Sequence, residues 1–345
     1  MRIPKKLTFS ALSAATLAAM GLMFTTLPAP DAFAQELKKV NMSHATATTI
    51  RLPFYIAYQN GDFEKQGIDL QIVDTRSGSD AMKMLAGGSV QISSGQLIDV
   101  INLNNQGIHV QGIALLTSQL GNSIIVRKDL AGEIKSMKDA VGRTVGVTGI
   151  GSGTWQFAVF AARVEGVDPE KLNFVPVGGA ANVVGAVKAG RVDLMSYADP
   201  ENYKLVQDGD AEFLIDMTDP ETHKQLIGDV YINNMIMTTA DYAKQNPEIV
   251  QGVVNAIQSG LDWANSHSPE EVATVLKSFP GFAGVEYEFL LASLDRMKNA
   301  VPESALITQE AYDSTMKLPI TVGVVKEPLP YEQLINTTFA QQAAK

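Results

Sequence analysis

The sequence predicts an α/β fold with two similar lobes, and two observations support this. Short apolar runs rich in β-branched residues alternate with stretches of helical periodicity, the pattern of parallel sheets covered by helices. The same order of elements occurs twice, so that Leu70 corresponds to Leu172, Gly88 to Gly190 and Val90 to Val192. Because right-handed crossovers pack each helix on its sheet, each series is expected to build one strand-helix-strand lobe with a ligand cleft between the two.

The elements of the two series follow in order along the chain. In the first series we predict strands at 39–42, 70–73 and 90–93, and helices starting near Pro53 and Asp80. In the second series we predict strands at 143–147, 172–175 and 192–196, a helix over 153–165 and another from Ala180. The alternative is that any two such units look alike by chance.

The C-terminal third predicts helices. Asn246-Pro247 is a helix start with proline at the first position, and apolar residues recur at helical spacing from Ile249 to Leu261. Ser268-Pro269-Glu270-Glu271 has the pattern of a capping box, and a further helix is expected over 287–298. We expect these helices to pack on a lobe rather than to bind a ligand.

The first 34 residues predict a secretory signal peptide. Three cations, Arg2, Lys5 and Lys6, precede a mostly apolar run over 7–27, and Ala32-Phe33-Ala34 is a cleavage pattern. An uncleaved membrane anchor is the alternative, disfavoured by the serines and threonines of the run. We therefore expect a mature chain from residue 35 that resides in the periplasm and is not inserted in the membrane.

The amino-acid composition excludes several classes of function. The chain has 27 Lys and Arg against 37 Asp and Glu, a net charge of −10, which disfavours nucleic acid as a partner. It has no cysteine, so disulfides, thiolate metal sites and a lipid-modified cysteine are excluded. The histidines lack metal-ligand spacing, and the sequence contains no nucleophile elbow or zinc motif. We expect no metal, no cofactor and no enzymatic activity, although carboxylates could still meet in space.

Ligands of open parallel sheets bind beyond the carboxyl ends of the strands, where four loops qualify here: 43–55, 93–96, 148–154 and 196–200. The loop at 148–154 is rich in glycine and starts a helix, a place that attracts an anion or a polar oxygen. The alternative for that loop is a glycine turn that only caps the helix. Asp199 could instead be an ordinary turn residue, Arg51 a solvated surface residue and Trp155 a core residue. The predicted ligand-binding residues are His44, Thr46, Arg51, Tyr55, Ser94, Gly95, Gln96, Thr148, Ser152, Gly153, Thr154, Trp155, Tyr197 and Asp199.

Several motifs carry a family resemblance through most of the mature chain. They are the segments 53–58 and 61–70 (PFYIAY and GDFEKQGIDL), 84–92 (MLAGGSVQI), 142–147 (GRTVGV), 190–193 (GRVD) and 247–250 (PEIV). In these the chain resembles the substrate-binding proteins of nitrate, sulfonate and taurine ABC transporters, a family that includes binders of thiamine-pyrimidine precursors. Two motifs depart from the family: Gln91 stands where relatives often carry Asp, and the cysteine-rich motif of the related pyrimidine-synthesising enzymes is absent.

The resemblance implies a type II periplasmic-binding fold with two hinge crossings, which we place near 121–123 and 231–234. Lobe 1 would then comprise 35–122 and 232–345 with the C-terminal helices, and lobe 2 would comprise 123–231. The implied function is capture of a small organic solute by a monomer that delivers it to an ABC permease.

From the loops we expect that solute to be a sulfonate or carboxylate, held at 152–154 with Arg51 or His44 opposite. A pyrimidine-type ligand stacked on Trp155, Tyr55 or Tyr197, with Asp199 accepting from ring amino groups, is the alternative. A secreted enzyme and a binding partner of a sensor kinase or chemoreceptor also stay open.

Overall fold

The computed structural model describes residues 36–45 and 47–343, and all that follows concerns those residues. The predicted signal peptide at 1–34 and the candidate site residue Thr46 lie outside them. Within the described ranges, no helix combines the length and the apolar character that crossing a membrane requires.

Two five-stranded mixed sheets form the framework. The first contains β1 (Lys38–Ala45), β2 (Ile68–Thr75), β3 (Ile92–Gly95), β4 (Val110–Thr117) and β10 (Asn234–Thr239), in the order β2-β1-β3-β10-β4. The second contains β5 (Asn122–Arg127), β6 (Thr144–Val147), β7 (Asn173–Pro176), β8 (Leu194–Ala198) and β9 (Ala211–Ile215), in the order β7-β6-β8-β5-β9. In each sheet four strands run in one direction, and the fourth strand in the order, β10 or β5, runs antiparallel to both of its neighbours. The two-lobed α/β prediction is therefore confirmed.

The antiparallel strands show how the chain passes between the sheets. β4 of the first sheet leads through 118–121 into β5 of the second, and the chain returns through 216–233 into β10. Both passages meet at the ring of His223, which is 2% exposed. The amide of Leu120 donates to Nε2 at 2.9 Å, and Nδ1 lies 2.8 Å from the carbonyl oxygen of Gly228. Since Nε2 accepts, Nδ1 must carry the proton, and burial lowers the pKa of the ring below its usual value.

Helices cover both sheets. They are α1 (Leu52–Gln59), α2 (Asp62–Lys65), α3 (Gly78–Ala86), α4 (Leu97–Asn105), α5 (Gly153–Val164), α6 (Ala181–Lys188), α7 (Glu201–Gln207), α8 (Pro220–Leu226), α9 (Ala240–Gln245), α10 (Pro247–Ser266), α11 (Pro269–Ser278), α12 (Tyr287–Arg296), α13 (Gln309–Thr315), α14 (Lys317–Val322), α15 (Tyr331–Leu334) and α16 (Thr338–Ala343). The predicted strand-helix-strand series are present in both lobes, and the predicted helix starts at Pro247 and Ser268 are confirmed. Ser268 and Glu271 form the capping box that their spacing predicts.

Most of the C-terminal segment packs on the first lobe. The buried face of α10 carries Val253 and Ile257 into a core with Phe54 and Ile92. α14 differs, because its Leu318 and Val322 belong to the core of the second lobe, with Phe157 and Phe160 of α5. α14 therefore packs on the second lobe, and the predicted lobe limits stay a prediction.

Candidate functional site

A small cavity lies where strand ends of both sheets converge. Its free volume is about 50 Å³, room for one or two water molecules. Nine of the predicted ligand-binding residues line it: Arg51, Ser94, Gly95, Gln96, Thr148, Ser152, Gly153, Thr154 and Tyr197. Eight further residues complete the wall: Ala45, Thr48, Ile50, Gly78, Asp99, Asn122, Ala198 and Asn234.

The second lobe contributes three hydroxyl groups at the start of α5. Ser152 is the N-cap, whose Oγ accepts from the amide of Trp155 at 3.5 Å. The hydroxyl of Thr148 donates to Ser152 Oγ at 2.9 Å, and the Oγ1 atoms of Thr148 and Thr154 are 3.0 Å apart. Gly151, with a φ of 79°, permits the turn that brings these side chains together. The glycine loop therefore caps the helix, as the alternative reading expected, and also presents hydroxyls and a helix N-terminus to the cavity.

The first lobe contributes a buried cation. Arg51 is only 5% exposed; its Nε donates to Ser94 Oγ at 2.9 Å, and its Nη1 donates to Thr48 Oγ1 at 3.3 Å. The alternative of a solvated surface position for Arg51 is wrong. Because a buried guanidinium loses its hydration, an anionic group in the cavity would offset that loss.

A buried carboxyl group faces the same cavity. Asp99, in the first turn of α4, accepts a hydrogen bond from the backbone amide of Gln96 at 2.8 Å. Burial raises the pKa of Asp99 to about 6, although that amide and the charge of Arg51 both act to lower it. The cavity thus combines one permanent cation with a carboxyl whose charge is sensitive to its surroundings.

The two lobes touch across the cavity. A Cβ atom on Gly153 would lie 2.3 Å from Oε1 of Gln96, so the backbone of α5 approaches the Gln96 amide as only glycine allows. Two side-chain oxygens in the wall, Gln96 Oε1 and Asn234 Oδ1, are buried without a hydrogen-bond partner among the described residues. Such oxygens are acceptors available to a ligand that carries N–H or O–H groups.

Two predicted site residues of the first lobe lie outside this cavity. His44 is buried with its ring edge against Phe54 and Tyr55, and its Nε2 is 3.2 Å from Asp74. Burial, reinforced by the charge of Arg51, lowers the pKa of His44 to about 4. It is therefore neutral near pH 7 and does not supply the cation expected from it. Tyr55 packs in an aromatic cluster, with its ring centroid 4.6 Å from that of Phe279.

Two predicted site residues of the second lobe also lie elsewhere. Trp155 packs against Phe174, with ring centroids 5.9 Å apart, so its core interpretation holds. Asp199 pairs with Arg296 at 2.7 Å and accepts from the amide of Tyr203 at 3.2 Å. The structure therefore places Trp155 and Asp199 outside the cavity wall, because a position next to a strand end does not determine which way a side chain points.

Sequence reasoning missed Asp99, Asn122 and Asn234. A signal existed for Asp99, because Gln96 and Asp99 have the spacing of a helix N-cap and its N3 partner. Asn122 and Asn234 begin β5 and β10, within the segments predicted as hinge crossings, but nothing in the sequence assigned them to the cavity.

Comparison with known proteins gives the family and the fold. The family model described as NMT1/THI5 like matches residues 49–272. YtlA of Bacillus subtilis is 20% identical over 89% of this chain and 90% of its own. The formylaminopyrimidine-binding protein of Halalkalibacterium halodurans is 25% identical over 71% of this chain and 73% of its own. A yeast enzyme, the 4-amino-5-hydroxymethyl-2-methylpyrimidine phosphate synthase THI12 of Saccharomyces cerevisiae, is 22% identical over 63% and 64%.

Solved structures share the two-lobed arrangement. A protein from Bordetella bronchiseptica superposes with a TM-score of 0.81 and 22% identity, covering 89% of this chain and 97% of that one. The alkanesulfonate-binding protein SsuA of Xanthomonas axonopodis pv. citri, bound to MOPS, gives 0.70 and 15%, covering 88% and 99%. The predicted periplasmic-binding fold is confirmed, as is the family resemblance seen in the sequence. Because a synthase stands among the relatives, the expected absence of catalysis stays a prediction.

Proposed function

The chain belongs to the NMT1/THI5-like family, and from this membership we propose that it is the solute-binding protein of an ABC-type uptake system, capturing a small organic anion between its lobes. The observation that carries the proposal is the buried guanidinium of Arg51 in the wall of the cavity, opposite the start of α5. We expect the ligand to be a sulfonate or carboxylate and the mature protein to be a periplasmic monomer.

The chemistry of the wall suits an anion. Arg51 offers a charged donor, and Thr148, Ser152 and Thr154 offer hydroxyl hydrogens, which now point to each other or, for Ser152, to the carbonyl oxygen of Gly149, and which can turn to a ligand oxygen. The twelve-residue helix α5 adds the partial positive charge of its N-terminus. These groups act at short range in a water-poor space, where charge-assisted hydrogen bonds are strongest.

Capture requires the lobes to separate and close again. The free volume of about 50 Å³ would hold an anionic head group but not a complete organic solute, so entry needs an opening of the cleft or a movement of its walls. A ligand that contacts both lobes binds the closed arrangement better than the open one and shifts the equilibrium towards it. The permease would then recognise the closed form.

A pyrimidine-type solute is the second candidate, favoured by the unpartnered oxygens of Gln96 and Asn234 beside the Asp99 carboxyl. These acceptors match ring N–H and amino groups. Against it, Tyr197 is the single aromatic residue of the cavity wall among the described residues, and its hydroxyl already accepts from the amide of Ala180 at 3.0 Å. The stacking residues expected for such a ligand, Tyr55 and Trp155, lie elsewhere.

Binding without chemical conversion is also part of the proposal. Among the described residues that line the cavity there is no histidine or lysine, the residues that most often activate a serine or threonine hydroxyl as a nucleophile. Incubation of the protein with a bound ligand, followed by mass spectrometry, should return the ligand unchanged; turnover would overturn this part.

Isothermal titration with matched ligands tests the proposal. Ethanesulfonate, propionate and a 4-aminopyrimidine are titrated into the mature chain and into Arg51→Gln, with the exposed Arg191→Gln as control. We expect an anion to bind, Arg51→Gln to weaken it about 10- to 100-fold, the loss of one charge-assisted bond, and Arg191→Gln to leave it unchanged. If the pyrimidine binds and both anions fail, the second candidate is correct.

Location and delivery have separate tests. Osmotic-shock release followed by N-terminal sequencing should find the protein in the periplasmic fraction and starting at Gln35. Uptake of the identified solute should require the chain and a permease. If cells that lack the chain still take up the solute but no longer respond to it by chemotaxis, the chain delivers the solute to a sensor instead.

A further inference from the structure

A second cavity lies on the flank of the molecule, between the second lobe and the C-terminal helices. Its volume is about 370 Å³, and it shares no lining residue with the cavity that contains Arg51. One wall comes from the second lobe, with Ala180, Ala181, Val184, Pro200, Glu201 and Lys204. The other wall, with Gly281, Gly284, Val285 and Phe289, belongs to a segment whose Phe279, Phe282 and Leu290 are buried in the core of the first lobe.

Glu201 is the unusual residue of this cavity. It is 8% exposed, and its Oε2 has no hydrogen-bond partner among the described residues. Burial, together with the nearby charge of Asp199, raises the pKa of Glu201 to about 8. The carboxyl is therefore mostly protonated at neutral pH, and an uncharged acid with a spare oxygen sits in an apolar wall.

We propose that this cavity is a binding site for a small, uncharged, mostly apolar molecule whose O–H or N–H group hydrogen-bonds to the carboxyl of Glu201. The last torsion of a glutamate is broad, so either carboxyl oxygen can turn towards the cavity. The apolar walls supply the larger part of the binding surface, and the carboxyl supplies the one directional contact, which is the common plan of small-molecule pockets.

Charge at the rim agrees with an uncharged occupant. The Nζ of Lys204 lies 3.2 Å from both Asp208 and Glu286, so two carboxylates already neutralise it. The same Nζ lies 4.2 Å from the centroid of the Phe289 ring, which closes the cavity on that side. An anion would meet these carboxylates, and a cation would have to ionise Glu201 in an apolar setting.

Occupancy of this site would be linked to the closure of the lobes. Val184 lies in the second lobe, whereas Phe289 belongs to the segment packed on the first lobe, so an occupant contacts both and stabilises the arrangement described here. The occupant should therefore tighten the binding of the solute at the Arg51 cavity, and the solute should tighten the binding of the occupant by the same factor.

Benzyl alcohol, toluene and benzoate are suitable probes, because they share one ring and differ in the polar group. Saturation-transfer NMR titrations are run on the mature chain, on Glu201→Leu, on Val184→Trp, which takes up part of the cavity, and on Val141→Trp, which adds the same ring at an exposed apolar position as control. Thermal unfolding confirms that each variant is folded.

We expect saturable binding of benzyl alcohol, about fivefold tighter than toluene, the factor of one net hydrogen bond, and weaker binding of benzoate than of either. Glu201→Leu should abolish the difference between benzyl alcohol and toluene, and Val184→Trp should weaken both about tenfold while Val141→Trp does not. Equal affinity of alcohol and toluene for the unmodified chain, or binding unaffected by Val184→Trp and Glu201→Leu, would overturn the proposal. Arg51→Gln should leave benzyl alcohol binding intact, so this test and the anion test fail independently.

Discussion

Arg296, at the end of α12, is expected to be one of the most important side chains for the stability of the interface between the lobes. Its Nε donates to Asp199 Oδ2 at 2.7 Å, and its Nη2 lies 2.9 and 3.0 Å from the two carboxylate oxygens of Asp216. The guanidinium also lies over the rings of Tyr203 and Phe213, 5.0 and 4.8 Å from their centroids. All four partners belong to the second lobe, whereas α12 packs its Leu290 and Leu294 in the first-lobe core.

The magnitude of the Arg296→Met effect follows from the burial of each partner. Asp199 is 2% exposed, so removing its cation leaves a buried charge uncompensated, at a cost of about 3 kcal/mol or more. Asp216 is 23% exposed, and its pair adds at most about 1 kcal/mol. Together these predict that the free energy of unfolding falls by about 3–4 kcal/mol.

Urea unfolding of the mature chain measures this loss. Arg76→Met is the matched control, since Arg76 is 90% exposed and pairs with Asp80 at 3.8 Å; we expect a change of no more than about 0.5 kcal/mol. The double variant Arg296→Met with Asp199→Asn should recover about half of the loss, because no buried charge remains while the side-chain oxygen at position 199 can still accept from the backbone amide of Tyr203.

The pH dependence of the stability loss in Arg296→Met tests independently whether the loss comes from the buried charge of Asp199. Burial raises the pKa of Asp199, and Arg296 acts in the opposite direction, so in Arg296→Met the pKa rises further. A carboxyl with a raised folded-state pKa destabilises the fold when it is ionised, and this cost disappears as the pH falls below that pKa. The loss in Arg296→Met should therefore be largest near neutral pH and shrink on acidification. A loss that equals that of Arg76→Met, or does not change with pH, would refute the reasoning.

Two further predictions concern the cleft and the crossings. Gly153→Ala places a methyl group against Gln96 and should weaken solute binding about tenfold by titration, with little change in stability. Gly185→Ala, which meets no atom within 4 Å, should bind normally, and equal affinities of the two variants would contradict the contact. For His223, the lowered pKa means that acidification protonates the unfolded chain first and removes stability, despite the opposing charge of Asp229. Between about pH 7 and pH 5, the free energy of unfolding should therefore fall less in His223→Gln than in the unmodified chain. The same fall in both would contradict a buried, neutral His223 ring in the folded chain.

The sequence predicted the helix caps and the order of strands and helices, because these features involve residues that are close along the chain. Ser152 caps α5 and Ser268 caps α11 because the capping geometry involves residues only three positions apart. The repeated strand-helix-strand order placed the loops of both lobes at one cleft, and Arg51 and Gln96 were found in this way. These predictions depend on periodicity and chain order, which the sequence shows directly.

Other contacts depend on parts of the chain that are remote in sequence. Arg296 meets Asp199 and Asp216 across the two lobes, and nothing near any of the three signals the others. Asp199 was expected to face a ligand and instead serves this ion pair. His44 was likewise expected in a loop of the cleft, but it lies within β1 and its ring packs in the aromatic cluster of the first lobe. Such orientations are decided by packing partners that become neighbours only in the folded chain.

A crystal structure of the mature chain with the solute that titration identifies is the most direct test of the central claim. We predict that the anionic group lies in the cavity between the lobes, within hydrogen-bond distance, about 2.7–3.2 Å, of the Arg51 guanidinium and of the hydroxyls of Thr148, Ser152 or Thr154. A solute bound elsewhere, or bound in this cavity with its anionic group turned away from Arg51, would contradict the account.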